Sequence, residues 1–369
     1  MLMINKNNLL YQIAITQIPN VGDVIAKNLI SYCGGVEQVF HQKKHKLLRI
    51  PGIGEKVAEA IIHFNDFEKA ENEIKFIEKH KINALFYLDE NYPTRLKHYP
   101  DSPSMLYYLG NADLNNQKII GIVGTRKATD YGKLFVEKLI TDLRETGCMI
   151  LSGLAYGIDF LSHKEALRNH LPTVGVLAHG LDRIYPAAHK NTAKKMTENG
   201  GLLTEFCSNT NPDRENFPKR NRIVAGLCDV LIVVETAEKG GAMITAEIAN
   251  SYNKDVMALP GKVNDEFSMG CNKLIKLNKA SLITNVNDLF YLMGWEQGKL
   301  SKPKQQQLPI DLTDNDYKIL NFIGQKTRTG IDDIAFSLNM ESSNLSLNLL
   351  DLEFKGLIKQ LPGKYFELA

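Results

Sequence analysis

Six short apolar runs in the middle of the chain constrain its fold more than any other feature of the sequence. Stretches with helical periodicity separate them. The runs are KIIGIV (118–123), CMIL (148–151), TVGVLA (173–178), GLLTEF (201–206), DVLIVVE (229–235) and DVMAL (255–259). Continuous apolar strands that alternate with helices are typical of a parallel sheet covered on both faces. We therefore predict an α/β fold with a Rossmann-like parallel sheet core and a ligand site beyond the carboxyl ends of its strands.

Two further regions flank this core, as expected for a chain of 369 residues, which exceeds one typical domain. Residues 1–85 repeat the pattern IPNVGD (18–23) and IPGIGE (50–55), each before apolar residues at helical spacing. This pattern predicts a helical helix-hairpin-helix or SAM-like domain. The segment SKPKQQQLP (301–309) has the composition of a linker. The predicted domains are thus 1–85, 86–298 for the Rossmann-like domain, and 310–369.

The C-terminal region predicts a winged helix, with three helices and a two-stranded hairpin. Its third helix has one cation, Lys355, and is otherwise polar or acidic at Ser343, Asn344, Ser346, Asn348, Asp351 and Glu353. Duplex binding draws much of its strength from Lys and Arg, so we expect this helix to contact protein rather than DNA. For the two N-terminal turns, phosphate contact and simple helix packing stay open as equal alternatives.

Several classes of protein are excluded by missing patterns. The sequence has no run of about 18 apolar residues and no secretory signal, so we expect a cytoplasmic protein without membrane contact. Five cysteines without any CxxC pair predict neither disulfides nor a zinc site. The GxGxxG, P-loop, GxSxG and HExxH motifs do not occur at the places where they would have a function. We therefore predict no cofactor, no metal and no catalytic residue.

Glycine-rich turns and cations follow the predicted strands. The turns are GTRKATDYG (124–132), SGLAYGID (152–159) and TAEKGGAMITAE (236–247), and NFPKRNRIVAGL (216–227) begins the helix before the fifth strand. Glycines let a backbone approach an anion, and Arg126, Lys219, Arg220 and Arg222 are expected to surround one rim. An internal ion pair with Asp159, Glu205 or Glu235 is the alternative for any one arginine. Tyr131, Tyr156, Tyr185 and Phe217 offer faces for unpaired bases, or pack in the core.

Eight segments in order resemble one known family. They are GIVGTR, LSGLAYGID, GLDRIYP, FPKRNRIVAGL, VVE, GGAMITA, ALPG and GCNKLI. Together they resemble the DNA-processing protein A (DprA/Smf) family over about residues 87–288. The resemblance implies a Rossmann-like protein that binds and protects single-stranded DNA and loads the RecA recombinase onto it during natural transformation. It also implies a homodimer formed through the Rossmann-like domain, and no catalytic activity.

Carried over position by position, the resemblance gives a set of DNA-binding residues. They are Gly124, Thr125, Arg126, Ser152, Gly153, Phe217, Lys219, Arg220, Arg222 and Gly241. For Arg222, a structural role in holding loop carbonyls or Glu205 stays open beside DNA contact. The sequence departs from the family's usual residues at Gly240, Thr204 and Lys279, which puts fine contacts in doubt rather than the family.

A rival function comes from the segment GGAMITAE (240–247), which also resembles the GGxGTxxE arrangement of nucleoside-monophosphate phosphoribohydrolases. Here Glu247 is one residue short of that spacing, and one residue turns a helical side chain by about 100°. The carboxylate would then point away from a bound sugar, so we favour DNA binding over hydrolysis. A protein scaffold that holds a small nucleotide signal is a third alternative.

Overall fold

The computed structural model describes residues 6–295, 312–324, 329–338, 340–361 and 363–368. The chain forms two compact units, Met1–Gly298 and Lys299–Ala369. The predicted linker, residues 301–309, lies outside the described residues. Within the described residues, no helix is both long and apolar enough to cross a lipid bilayer.

The first region of the larger unit is helical and contains both predicted hairpin turns. Its helices are α1 (Lys6–Gln17), α2 (Asp23–Cys33), α3 (Val36–Phe40), α4 (Lys44–Leu47), α5 (Glu55–Ile62) and α6 (Phe67–His80). Apolar residues at helical spacing, such as Ala26, Leu29 and Ile30 of α2, point into a shared core. The helix α2 ends at Gly34, whose φ of 83° is the left-handed conformation that glycine adopts without strain.

In the part of the chain that the structure describes, nine strands form one sheet in the larger unit. They are β1 (Asn83–Phe86), β2 (Met105–Gly110), β3 (Ile119–Gly124), β4 (Met149–Ser152), β5 (Thr173–Val176), β6 (Gly200–Thr204), β7 (Val230–Val234), β8 (Asp255–Ala258) and β9 (Ser281–Leu282). Their order is β1-β2-β6-β5-β4-β3-β7-β8-β9. The strands β3 to β9 pair in parallel. All six predicted strands are therefore confirmed, as is the Rossmann-like fold.

Three strands were not predicted: the two-residue β9 at one edge of the sheet, and β1 and β2 at the other. The strand β2 pairs with β6, and β1 pairs with β2, both in antiparallel fashion. The strand β1 begins at Asn83, inside the segment that was expected to be helical. Phe86, Met105 and Tyr107 pack into the core of the N-terminal helices, so this edge joins the helical region to the sheet. Short edge strands are hard to identify because packing, not periodicity, determines them.

Helices cover both faces of the sheet. They are α7 (Thr94–Lys97), α8 (Asp130–Asp142), α9 (Ile158–Arg168), α10 (Lys190–Met196), α11 (Asn216–Leu227), α12 (Gly241–Ser251), α13 (Glu266–Lys276) and α14 (Val286–Met293), with a 3-10 turn at Ala187–His189. Residues of α11 and α12 pack on one face, and residues of α8 and α14 pack on the other. The chain runs from β3 through β4 and β5 to β6, and then crosses to β7 on the other side of β3. Ligands of open α/β sheets bind at such a reversal of strand order, which here lies between β3 and β7.

The smaller unit has the predicted winged-helix architecture. It consists of α15 (Asp314–Gly324), β10 (Thr329–Gly330), α16 (Ile331–Leu338), α17 (Ser342–Phe354), β11 (Ile358–Leu361) and β12 (Tyr365–Leu368). Thr313 caps α15, because its hydroxyl accepts a hydrogen bond from the Asp316 amide at 3.3 Å. The wing has three strands rather than the predicted two, since the short β10 pairs with β12.

Candidate nucleic-acid interface

A cavity of about 250 Å³ opens at the carboxyl ends of β3 and β7, at the predicted place. Three glycine-containing turns and the start of α11 surround it. Its lining includes Gly124, Thr125, Arg126, Gly153, Asp159, Phe217, Arg220, Asn221, Thr236, Ala237, Gly240, Gly241 and Phe267. We call this cavity the strand-end cavity.

Arg220 is a buried cation in the wall of the strand-end cavity. Only 6% of it is exposed, and burial lowers the pKa of its guanidinium. Its Nη1 donates a hydrogen bond of 2.7 Å to the carbonyl of Val176, whereas its Nε is buried without a hydrogen-bond partner. Among the described residues, no ion pair within 4.0 Å includes Arg220. A buried charge with an unsatisfied donor is costly unless a ligand completes its contacts.

Gly153 makes room for this arginine. A Cβ atom at position 153 would lie 1.9 Å from Nη1 of Arg220 and 2.4 Å from Oδ2 of Asp159. Asp159 is itself buried, and burial raises the pKa of its carboxyl while the charge of Arg220 opposes that rise. The predicted internal partner of Arg220 is thus nearby without forming an ion pair with it.

His163 holds the turn that contains Gly153. Its Nε2 donates a hydrogen bond to the Gly153 carbonyl, and its Nδ1 lies 2.7 Å from the hydroxyl of Thr173. Burial lowers the pKa of His163 to about 4, so the ring is neutral at pH 7. His163 therefore has a packing role. Ser152 has a comparable role, because its buried hydroxyl donates to the Ile122 carbonyl.

Arg126 lies exposed at the mouth of the strand-end cavity. Its guanidinium carbon is 5.7 Å from the centre of the Phe217 ring. A smaller cavity of about 90 Å³ adjoins this pair, and Tyr156 and Tyr185 contribute to its lining. These two tyrosines are 51% and 49% exposed, so aromatic faces are accessible next to the two arginines. Tyr131 is also half exposed, with its hydroxyl bonded to the Pro260 carbonyl at 2.8 Å.

The start of α12 closes another side of the strand-end cavity. Gly240 precedes this helix of 11 residues without any side-chain cap, so its first backbone amides face the cavity region. Glu235, at the end of β7, does not pair with an arginine. Its carboxylate accepts hydrogen bonds from the amide of Thr129, at 2.9 Å, and from the hydroxyl of Thr129.

Lys219 and Arg222 lie on the opposite side of α11 from Arg220. They line a different cavity of about 680 Å³, together with Asp23, Asp101 and Glu205. Nη2 of Arg222 is 3.0 Å from Asp23 and also bonds Glu205, while its Nη1 bonds the Asp101 carbonyl. These contacts give Arg222 the structural role that the sequence left open. Burial raises the pKa of Glu205 to about 7, although Arg222 opposes the rise.

The four cations that were expected to surround one rim therefore lie at two separate cavities. Arg126 and Arg220 share the strand-end cavity with Gly124, Thr125, Gly153, Phe217 and Gly241. Residues 219 and 222 are three apart on α11 and so occupy one face, while 217 and 220 occupy another. Sequence reasoning did not include Thr236, Ala237 or Phe267, which also line the cavity. Thr236 and Ala237 begin the turn 236–247, which the sequence placed after the fifth predicted strand, but neither was singled out as a contact residue.

The carboxylate required by the rival hydrolase interpretation lies elsewhere. Glu247 is exposed and pairs with Lys279 at 3.1 Å, and it does not line the strand-end cavity. Among the described residues, no cluster of three or more His, Cys, Asp or Glu side chains is arranged to hold a metal ion.

The fold and the cavity together define a class: a Rossmann-like α/β protein with a cationic, glycine-lined cavity at the switch point of its sheet, extended by a helix-hairpin-helix region and a winged helix. Residues 83–294 match the model of the DNA recombination-mediator protein A family. Residues 13–74 match a helix-hairpin-helix motif, and residues 303–364 match the DprA winged helix domain. The chain belongs to the DNA recombination-mediator protein A family.

Individual relatives agree with this assignment. Protein Smf of Synechocystis sp. is 33% identical over 97% of this chain and 98% of its own length. The DNA processing protein DprA of Streptococcus pneumoniae is 39% identical over 57% of this chain and 73% of its own length. Its X-ray structure superposes with a TM-score of 0.67 at 32% identity, covering 76% of this chain and 97% of that one. A structure of DNA processing protein A from Helicobacter pylori, described for its single-stranded DNA binding mode, superposes with a TM-score of 0.53 at 30% identity, covering 58% of this chain and 95% of that one.

Proposed function

We propose that this protein binds single-stranded DNA by its sugar-phosphate backbone at the strand-end cavity and performs no chemistry on it. The observation that carries this proposal is the buried guanidinium of Arg220, which has no ion-pair partner among the described residues and an unsatisfied Nε. A phosphate held in the cavity would neutralise this charge and give the guanidinium the anionic partner that the described residues do not supply. Arg126, at the mouth of the same cavity, supplies a second cation for the same strand.

The surroundings of the cavity favour an unpaired strand over a duplex. Tyr156 and Tyr185, each about half exposed, present accessible ring faces beside the two arginines. Bases stack on such faces only when they are unpaired, with about 1–3 kcal/mol for each stacked base. The Helicobacter pylori relative, which is described as binding single-stranded DNA, supports the same ligand.

The predicted contact residues have different roles in this proposal. Gly124, Thr125, Gly153 and Gly241 would admit the phosphate, and Phe217 would hold Arg126 in place. Lys219 is exposed on the other side of α11, where it would meet the strand only beyond the cavity. Ser152 and Arg222 make internal contacts, and we assign them to the fold.

Family membership supports a wider role in recombination. We propose that the protein acts in the cytoplasm as a homodimer joined through the sheet unit and loads the RecA recombinase onto the bound strand. Sedimentation of the full chain tests the dimer. The rate at which RecA hydrolyses ATP on DNA coated with single-strand-binding protein tests loading, since a mediator shortens the lag before RecA assembles.

The binding site is tested by measuring the affinity for oligo-dT across a salt series. Arg126→Ala should lower the affinity about tenfold and reduce the salt slope by about 0.7, because one phosphate contact is lost. Arg220→Lys keeps the charge but removes the planar fork, and should also weaken binding. Arg144→Ala is the matched control, since Arg144 pairs with Glu145 on the chain segment before β4. Equal affinity and equal slope for Arg126→Ala and the control would refute the proposed site.

A nucleotide-hydrolysis assay on the same preparations distinguishes DNA binding from the rival phosphoribohydrolase function. Release of base from nucleoside monophosphates, lost in Glu247→Gln, would show that the site is enzymatic. We expect no such release, because Glu247 is directed to Lys279 rather than to the strand-end cavity.

A further inference from the structure

The smaller cavity beside the strand-end cavity is not used by the phosphate contacts proposed above. Its volume is about 90 Å³, and we call it the side cavity. It shares Arg126, Ala155, Phe217 and Arg220 with the strand-end cavity. Most of the remaining lining is apolar or aromatic: Leu154, Tyr156, Val176, Leu177, Ala178 and Tyr185. Because the two cavities have a common wall, a nucleotide whose phosphate lies in the first can place its base in the second.

The side cavity has apolar inner walls and an aromatic rim. Leu154, Leu177 and Ala178 are at most 3% exposed, so they form a buried apolar surface. At the rim, the rings of Tyr185 and Phe217 meet edge to face, with their centres 6.5 Å apart. Apolar walls with a few polar groups are typical of sites for flat organic rings, and a nucleobase is such a ring.

The carbonyl groups of these inner walls already accept hydrogen bonds. The Leu154 carbonyl accepts from Nδ1 of His189 at 3.0 Å, and the Val176 carbonyl accepts from Nη1 of Arg220 at 2.7 Å. None of the described residues that line the side cavity is acidic. The charged groups at this cavity are therefore the guanidinium groups of Arg126 and Arg220, which donate hydrogen bonds and cannot accept them.

His179, which also lines the side cavity, has both ring nitrogens engaged. Its Nδ1 donates to the Gly180 carbonyl at 2.8 Å, and its Nε2 accepts from the amide of Tyr185 at 3.2 Å. Burial lowers the pKa of this histidine, which favours the neutral ring. The ring thus fixes the backbone of Tyr185 at the rim and offers no acceptor to a ligand.

The volume of the side cavity favours a single ring. One water molecule occupies about 30 Å³ in the liquid, so the cavity has room for roughly three waters. That space admits the edge of a pyrimidine, which has one ring. The fused second ring of a purine exceeds it.

We propose that the side cavity receives the O4 and methyl edge of a thymine, so that the protein prefers thymine among the bases of an unpaired strand. This proposal rests on the proposed function, because the base reaches the side cavity from a phosphate held in the strand-end cavity. Thymine presents an acceptor and a methyl group on this edge, whereas cytosine presents an amino donor in place of O4. The acceptor suits the arginine donors, and the methyl group suits the apolar walls. A buried amino group without an acceptor is costly.

The test compares oligonucleotides of equal length that differ only in the base. Oligo-dT, oligo-dU and an oligonucleotide of 5-methylcytosine separate the effect of the methyl group from that of the amino group, and oligo-dA tests ring size. We expect oligo-dU to bind about two- to fourfold more weakly than oligo-dT, because one buried methyl group is lost. The methylcytosine and adenine strands should bind at least about fivefold more weakly. These ratios should stay constant across a salt series, since they involve no phosphate contact.

A variant of the rim tests whether the side cavity is the source of the preference. Tyr185→Gln adds a side-chain carbonyl that can accept from an amino group, so the ratio of oligo-dT to methylcytosine affinity should fall below about twofold. Tyr32→Gln is the matched control, because Tyr32 is 63% exposed on α2 and lines neither cavity. Thermal melting shows that each full-length variant is folded. Tyr156→Gln, at the other half-exposed tyrosine of the side cavity, repeats the test if Tyr185→Gln is unstable.

Two results would overturn the proposal. One is equal affinity of the unaltered protein for oligo-dT and the methylcytosine strand. The other is a preference for oligo-dT that the rim variant retains as fully as Tyr32→Gln does. Failure of the proposed function has a different signature, because Arg126→Ala would then bind every one of these strands as the unaltered protein does.

Discussion

The guanidinium carbon of Arg126 lies 5.7 Å from the centre of the Phe217 ring. Arg126 belongs to the turn after β3, and Phe217 to the first turn of α11, so the contact joins two elements that are distant in the chain. An exposed arginine loses side-chain entropy when it binds a phosphate. A ring beneath its guanidinium reduces that cost by holding the side chain near the cavity mouth.

The first prediction concerns this pair. Phe217→Leu keeps apolar bulk but removes the ring face, and Phe217→Ala removes both. We expect both to weaken oligo-dT binding by about two- to fivefold, consistent with about 0.5–1 kcal/mol for an exposed cation–π contact. Fluorescence anisotropy at constant salt measures the effect. If Phe217→Leu bound like the unaltered protein while Phe217→Ala did not, packing rather than the ring would be responsible.

The second prediction separates two glycines of the strand-end cavity. Gly153→Ala places a methyl group 1.9 Å from Arg220 Nη1, so it should lower both the melting temperature and DNA affinity, the latter more than tenfold. Gly241→Ala has open space, with nothing within 4 Å of the added atom, and should leave stability nearly unchanged. If a phosphate lies at the start of α12, this second variant should still lose affinity. Normal binding by Gly241→Ala would remove that helix from the site.

The third prediction concerns pH and Glu205. Its pKa in the folded protein is raised to about 7, above the usual 4.5 of an unfolded chain. The folded state therefore binds this proton more tightly, and the resulting stabilisation is fully present below about pH 4.5 and is lost as pH rises through about 7. Glu205→Gln should remove this pH dependence. In thermal melts, the melting temperature of the variant should therefore fall further below that of the unaltered protein at pH 5 than at pH 8. Glu71→Gln, at an exposed site, is the control. A constant difference between Glu205→Gln and the unaltered protein across that range would contradict the assignment.

The fourth prediction concerns the winged helix. A chain that stops at residue 298 retains the whole larger compact unit. We expect it to fold and to bind oligo-dT within about twofold of the full chain, because the exposed side of α17 includes Asp351 and offers little to a phosphate. Binding by gel shift and melting by circular dichroism measure both outcomes. A collapse of affinity in a folded truncated protein would show that the smaller unit contributes to DNA contact.

The position of the strand-end cavity was predictable from sequence to a large extent. The six apolar runs identified the central strands, and the residues after them identified most of the strand-end cavity, including Arg126, Gly153 and Gly241. The short β9 at one edge of the sheet was not predicted, and neither were β1 and β2 at the other edge. Residues of β1 and β2 are buried by contact with the N-terminal helices, which local periodicity does not record.

The roles of the cations in the segment NFPKRNR depended on the structure. One helical turn directs Arg220 into the strand-end cavity and Arg222 to Asp23 and Glu205, although the two are only two residues apart. The two hairpin turns differ in the same way. Asp23, which follows the first turn, contacts Ser104 and Arg222, whereas the second turn is exposed. Sequence patterning by itself determined the fold class and the strand ends at which a ligand can bind, because burial requires periodic apolar residues. Only the tertiary structure decided which charges are neutralised within the protein and which are left for a ligand, because that depends on carboxylates brought close from distant parts of the chain.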